Sequence, residues 1–181
     1  MMKRALWLRL DIGGIDLHFR ISHYRKSTEE KWDTQWCEID LTLQASNWLN
    51  YHISSSEIML SLEVESLRDG IKALLNDELN EVDTHECIEP DFQFVLYPKQ
   101  DVRNNPNILY VKPGFEIADV DMEFVVAFWD REGALSANRL TLLFGRHELE
   151  KLLLYLQLVT GLISEDDEMI TKLFSEGSLY G

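Results

Sequence analysis

The sequence predicts an α+β protein made of two antiparallel β-meanders that each end in a helix, followed by one more helix. Three features predict this class. Apolar and polar residues alternate in several segments, Gly13-Gly14 separates two of these segments, and leucines recur at helical spacing elsewhere. With 181 residues, 45% of them hydrophobic, the chain can bury a core of its own. We expect residues 1–181 to form a single domain with pseudo-repeat halves at about 5–79 and 85–160.

The first half is predicted to hold four strands and a helix. The strands cover residues 6–12, 15–24, 36–45 and an alternating run of Ile58, Leu60, Leu62 and Val64. In the second and third strands the residues expected to face inward are Ile15, Leu17, Phe19, Ile21, Cys37, Ile39, Leu41 and Leu43. Ser66 is the predicted N-cap of the helix, because Asp69 lies three residues on and Leu67 begins an apolar stripe. Gly70 costs this helix about 1 kcal/mol relative to alanine, so tertiary packing must help to hold it.

The second half is predicted to repeat this order with longer connections. Its strands are expected at residues 87–97, 108–111, 117–128 and 140–144, with a turn at Pro113-Gly114. A helix is predicted from Arg146 to a C-cap at Gly161. A C-terminal helix over residues 164–176 is predicted to begin at Ser164 as its N-cap and to end at Gly177. Its apolar face is expected to consist of Met169, Ile170, Leu173 and Phe174.

The two halves also resemble each other in pattern. If Leu67 is aligned with Leu149, an offset of 82 residues, the preceding apolar strand positions of the two halves coincide. Any two strand–helix units share part of such a pattern. The sequence therefore leaves open whether the halves arose by duplication.

Composition and motifs exclude several classes of function. Lys and Arg total 17 against 32 Asp and Glu, and the net charge of −15 repels a phosphate backbone, so no nucleic-acid partner is expected. No apolar run approaches the length of a transmembrane helix, so no membrane insertion is expected either. The common nucleotide-binding, hydrolase and metalloprotease motifs are missing, and the sequence predicts no catalytic residue, cofactor or metal.

The two cysteines, Cys37 and Cys87, lie in apolar segments of different halves. A secreted disulfide-rich protein of this size would carry more cysteines, so two free structural thiols in a reducing cytoplasm are expected. His85 and Cys87 would form a metal pair only with ligands from other segments.

Three carboxylates stand out in the long strand of the second half. Asp119, Asp121 and Glu123 alternate with inward residues and should project from one outer face. Three interpretations are open: an ordinary solvated face, a recognition surface for a basic partner, or part of a site for a hard cation.

Two apolar features also admit two interpretations each. Leu154, Tyr155 and Leu158 widen the apolar surface of the long second-half helix, which indicates either a helix packed on two sides or a homodimer contact. Trp32, Trp36 and Trp48 are either strand-edge residues that cover the core or an aromatic platform for a ligand.

Several segments together resemble the WapI-type immunity proteins of bacterial polymorphic-toxin systems. They are Gly-Ile-Asp-Leu-His-Phe at residues 14–19, Trp-Asp-Thr-Gln-Trp at 32–36, the strand–helix unit through Leu75, Ile-Glu-Pro-Asp-Phe-Gln-Phe at 88–94, and the strand–helix unit through Leu156. The resemblance covers about residues 5–160, and the helix after Gly161 departs from it. It implies a small cytoplasmic protein that binds a cognate toxin without catalysis.

Three functions follow in order of preference. The first is a non-catalytic cytoplasmic immunity protein that neutralises a basic toxin through protein–protein binding, since −15 suits a partner of opposite charge. The second is a structural or regulatory homo-oligomer of unknown role, joined through the long helix. The third is an enzyme with an unrecognised site.

Overall fold

Two antiparallel sheets and three helices account for most of residues 5–181, the part of the chain that the computed structural model describes. The first half contains Trp7–Ile12 (β1), Ile15–Ser22 (β2), Trp36–Ala45 (β3), Leu49–Leu60 (β4) and the helix Ser61–Leu75 (α1). The second contains Asp83–Glu86 (β5), Phe92–Tyr97 (β6), Gln100–Asp101 (β7), Ile117–Ala118 (β8), Asp121–Trp129 (β9), Leu135–Gly145 (β10) and the helix Arg146–Val159 (α2). The helix Glu168–Ser175 (α3) and the strand Leu179–Tyr180 (β11) follow.

Each half forms one sheet in meander order. The first sheet runs β11-β1-β2-β3-β4 and the second β10-β9-β6-β5, while β7 and β8 form a separate pair within the connection from β6 to β9. Gly13 and Gly14 both have positive φ, as a tight turn between β1 and β2 requires. The predicted α+β class with two meanders that end in helices and a C-terminal helix is confirmed. The strand β11, which pairs with β1 through Trp7 and Tyr180, was not expected from the sequence.

The apolar faces of both sheets belong to one core. The Phe19 ring of β2 lies 6.5 Å from the rings of Phe92 and Phe124 in the second sheet and 6.3 Å from the ring of Tyr155 in α2. All the inward residues predicted for β3, and all but Ile15 of those predicted for β2, are buried. Alternation along each strand therefore leaves the polar side chains on the outer faces.

The first helix begins five residues before the predicted N-cap. It starts at Ser61, so Leu62 and Val64 belong to the helix and the prediction of Ser66 as N-cap was wrong. Leu60 to Val64 is also a helical spacing, and the stripe Val64, Leu67, Ile71 and Leu74 is buried. Glu63 caps the helix, because its Oε2 accepts a hydrogen bond of 2.7 Å from the Leu60 amide.

The same cap recurs in the second half. Glu148 Oε2 accepts from the Gly145 amide at 3.1 Å and lies 85 residues after Glu63. An offset of 85 thus aligns the two helix starts, in place of the 82 taken from the sequence pattern. We retain an internal duplication of the halves 5–79 and 85–160 as a proposal that this correspondence supports.

Gly70 is explained by a close approach of the next strand. A Cβ at this position would lie 2.6 Å from Nε2 of His85 in β5, which packs over the helix. The His85 ring is held there by Ser66 Oγ at 3.2 Å and Asp83 Oδ2 at 3.0 Å. The expectation that tertiary packing holds this part of the helix is consistent with that contact.

Three further boundaries differ from the prediction. Residues 108–111 form an exposed loop instead of a strand, because no neighbouring strand pairs with them. Ser164 lies in a turn, and the N-cap of α3 is Asp167, whose side chain accepts from the Met169 amide at 2.9 Å. Met169 is exposed, whereas Ile170 and Leu173 are buried as expected. Gly161 and Gly177, both with positive φ, follow the ends of α2 and α3 as predicted.

Tyr155 of α2 completes the hydrogen bonding where β1 and β2 separate. Its buried hydroxyl accepts from the Ile21 amide at 2.8 Å and donates to the Leu6 carbonyl at 3.0 Å. One side chain therefore bridges two backbone groups that the sheet would otherwise leave unpaired in the core.

We expect Tyr155→Phe to lower the free energy of unfolding by about 1–3 kcal/mol, because it leaves the Ile21 amide and the Leu6 carbonyl without a partner. Urea denaturation measures the change. Tyr110→Phe, at a side chain that is 77% exposed, is the matched control and should have no effect. Equal stability of wild type and Tyr155→Phe would contradict the structural role given to this hydroxyl.

Candidate partner-binding surfaces

Two of the three predicted carboxylates share the outer face of the second sheet. Asp121 and Glu123 lie on β9, one of its two central strands, opposite Tyr97 and Val95 of β6. The Tyr97 hydroxyl donates to Glu123 Oε2 at 3.0 Å. Partial burial and then repulsion from Glu123 raise the pKa of Asp121. The pair is thus a local concentration of negative charge.

Asp119 lies just before β9 and has a different role. Its carboxylate forms a two-point ion pair with Arg146, the first residue of α2, at 2.7 and 2.8 Å. These hydrogen bonds lower the pKa of Asp119 to about 2. Arg146 also reaches the Leu75 carbonyl at the end of α1, at 3.5 Å. Asp119 therefore joins the segment before β9 to α1 and α2 through Arg146.

No cation site emerges from these carboxylates. Within residues 5–181, no group of three or more His, Cys, Asp and Glu side chains is arranged to hold a metal ion. His85 bonds to Ser66 and Asp83 instead of forming a site with Cys87. Both cysteines are free, as predicted, and burial raises the pKa of the Cys37 thiol to about 11.

The predicted homodimer contact on the long helix is largely interior. Tyr155 is 0% exposed and Leu158 is 6% exposed, so neither is available to a second copy, and Leu154 is only partly buried against the core. Their extra apolar surface has an intramolecular explanation, because α2 contacts α1, α3 and strands of both sheets. Of the two interpretations, the helix packed on several sides is the one that the structure supports.

Trp32, Trp36 and Trp48 do not form a single aromatic platform for a ligand. Trp36 begins β3, whereas Trp48 lies in the turn after its far end, roughly 30 Å away along the strand. Trp32, in a short 3₁₀ turn before β3, and Trp48 are both exposed.

A different aromatic group lies on the outer face of the first sheet. Trp7 stacks on Tyr180 with ring centroids 6.1 Å apart, and the Arg20 guanidinium lies 4.7 Å from the Trp7 ring. Arg20 in turn donates to the buried carboxylate of Asp40 at 2.9 Å. This group secures β11 to the sheet, and the sequence missed it because β11 was not predicted.

The most exposed apolar surface is the connection from β7 to β8. Ile108, Leu109, Tyr110, Phe115 and Ile117 all project into solvent there, and Leu109 is 100% exposed. In the sequence this surface is visible as the apolar run Ile-Leu-Tyr-Val at residues 108–111, whose composition predicts a strand. Its flanking Asn105-Pro106 and Pro113-Gly114 are the features that favour a loop. We call residues 103–117 the apolar loop.

Single substitutions of Asp119 and Asp121 should change the free energy of unfolding in opposite directions. With a pKa of about 2 in the folded state against an ordinary value near 4, ionised Asp119 stabilises the fold above pH ~4, and this contribution disappears as the pH falls through about 2. Asp121 has a raised pKa, so its ionisation destabilises the fold at neutral pH. At pH 7 we expect Asp119→Asn to lower the free energy of unfolding, by no more than about 1 kcal/mol for so exposed a pair, and Asp121→Asn to raise it.

Urea denaturation at pH 7 and pH 2 checks both signs, with each variant compared with wild type at the same pH. The deficit of Asp119→Asn should shrink toward zero at pH 2. A deficit of equal size at both pH values would show that the ion pair with Arg146 does not contribute through its charge.

Comparison with known proteins bears on the family to which the chain belongs. Among the helices of residues 5–181, none combines the length and apolar character needed to cross a bilayer. The comparison with curated proteins gave no match. The Immunity protein WapI-like family matches residues 8–159, a range that takes in both meanders and α2 and stops before α3. The resemblance stated from the sequence is confirmed, and the chain belongs to the WapI-like immunity protein family.

Proposed function

We propose that this protein is a non-catalytic immunity protein, which neutralises a cognate toxin by binding to it in the cytoplasm of the cell that makes both. The family match over residues 8–159 carries the proposal. Immunity proteins of this family are generally non-catalytic, and the outer surfaces described above offer contact groups instead of a cluster of reactive side chains. The toxin would be blocked by being covered.

The charge distribution supports a basic partner. The chain carries a net charge of −15, and among residues 5–181 neither Asp121 nor Glu123 forms a salt bridge. Partial burial and then repulsion from Glu123 raise the pKa of Asp121, and positive charge brought close to this pair would favour its ionised form. We therefore propose Asp121 and Glu123 as groups that steer the toxin, with Asp119 retained by Arg146.

The alternative functions have less support. A homo-oligomer joined through α2 would need Tyr155 and Leu158 at its surface, and both are buried. An enzyme would need reactive groups in proximity, yet the buried Cys37 thiol has its pKa raised to about 11, far from the reactive thiolate form at neutral pH.

Titration of toxin activity tests the proposal. The probe is the protein encoded immediately upstream of this gene, held at a concentration far above its dissociation constant. Neutralisation by binding should reduce its activity linearly with added immunity protein, until none remains at an equimolar ratio. Progressive inactivation over time at one tenth of an equivalent would instead indicate catalysis, and full activity at a tenfold excess would contradict the immunity function.

The steering role is tested with the double variant Asp121→Asn, Glu123→Gln. Its association rate constant with the same toxin should fall by a factor of about 3–10 at low ionic strength and depend less on salt, while the dissociation rate constant changes little. The matched control Glu29→Gln, Glu30→Gln removes two charges from an exposed loop elsewhere. Equal association rate constants and equal salt dependence for the two double variants would show that Asp121 and Glu123 belong to an ordinary solvated face and do not steer the toxin.

A further inference from the structure

The apolar loop exposes more hydrophobic side-chain surface than any core function explains. Leu109 is 100% exposed, Tyr110 77%, Phe115 64% and Ile117 50%. Scattered single apolar residues are normal on a protein surface, but several large ones in one short segment mark a contact site. Tyr in particular is a residue type that concentrates binding energy at interfaces.

The loop is held in shape by its own hydrogen bonds. At its base, Gln100 and Asp101 pair with Ala118 and Ile117, and the Val102 amide donates to the Glu116 carbonyl at 2.9 Å. Near its C-terminal end, the Phe115 amide donates to the Lys112 carbonyl at 3.0 Å across the Pro113-Gly114 turn, where Gly114 has a φ of +90°. Because these hydrogen bonds restrict the two ends of the loop, docking it would cost less conformational entropy than docking an unrestrained segment.

The base of the loop lies beside the negative pair. The connection that contains the loop leaves β6 after Tyr97 and returns to β9 before Asp121, and these two residues lie directly opposite each other on adjacent strands. Glu123 is next on the same face and accepts from Tyr97. The apolar loop thus lies at the end of the sheet that carries Asp121 and Glu123, neither of which forms a salt bridge within residues 5–181.

We propose that the apolar loop is the anchor of the toxin interface, inserting Leu109, Tyr110 and Phe115 into an apolar pocket of the toxin whose rim carries Lys and Arg. The proposal rests on the proposed immunity function and names the surface through which it acts. An apolar centre with a charged surround is the usual organisation of a specific interface. A second copy of this chain is a poorer occupant, because it would bring another Asp121 and Glu123 pair to the same place.

The test compares three alanine variants in the loop with two outside it. Leu109→Ala, Tyr110→Ala and Phe115→Ala should each leave the unfolding midpoint unchanged, since the side chains are exposed. Trp48→Ala and Leu162→Ala are the matched controls, as both truncate large exposed apolar side chains in other segments. Surface plasmon resonance with the immobilised upstream-encoded toxin measures the dissociation constant, and sedimentation velocity of the immunity protein alone measures self-association.

We expect Tyr110→Ala to weaken toxin binding roughly 30-fold or more, with the loss in the dissociation rate, and the two controls to bind as wild type does. Wild-type affinity in all three loop variants would overturn the loop as anchor and leave the immunity function standing. Failure of the wild-type protein to bind the toxin would overturn both. A wild-type dimer that Tyr110→Ala converts to a monomer would assign the loop to a second copy and also overturn the inference.

Discussion

Phe19 contacts aromatic rings of the second sheet and of α2, and these contacts require both sheets to turn one face toward a common interior. Because successive side chains in a strand point to opposite faces, burial of one set fixes the position of the other. Asp121 and Glu123 are on the outside of β9 because Met122 and Phe124 are on its inside. The surface chemistry of both sheets is thus a consequence of how the core is packed.

The alternation that places side chains on the sheets does not apply to the connection from β6 to β9. Between Tyr97 and Asp121 the chain leaves the sheet, and its side chains are placed by turns and short-range hydrogen bonds instead of by alternation. Large apolar residues there lower the solubility of the free protein without adding to its core. A binding partner that covers them would account for that arrangement, which is why the proposals on function and on the apolar loop support each other.

The alternation of apolar and polar residues made the strands predictable from the sequence. It failed where the spacing of apolar residues suits a strand and a helix equally well. The inward faces of β2 and β3 followed directly from it, whereas the step from Leu60 to Val64 fits both a strand and a helix and concealed the start of α1. At the candidate surfaces, the sequence placed Asp121 and Glu123 on one face. It gave no indication that Arg146 pairs with Asp119 or that Tyr155 serves the backbone of β1 and β2, because these contacts join residues far apart in the chain.

The pairing of β11 with β1 has a consequence for the order of assembly. During synthesis β1 emerges from the ribosome well before β11, which follows α3 in the chain. Until then the outer edge of β1 presents unpaired amides and carbonyls, which are a template for pairing with other chains. Nascent chains stalled before Leu179 would therefore be more prone to aggregate than the folded protein, since the first sheet is complete only after the two residues of β11 have been added.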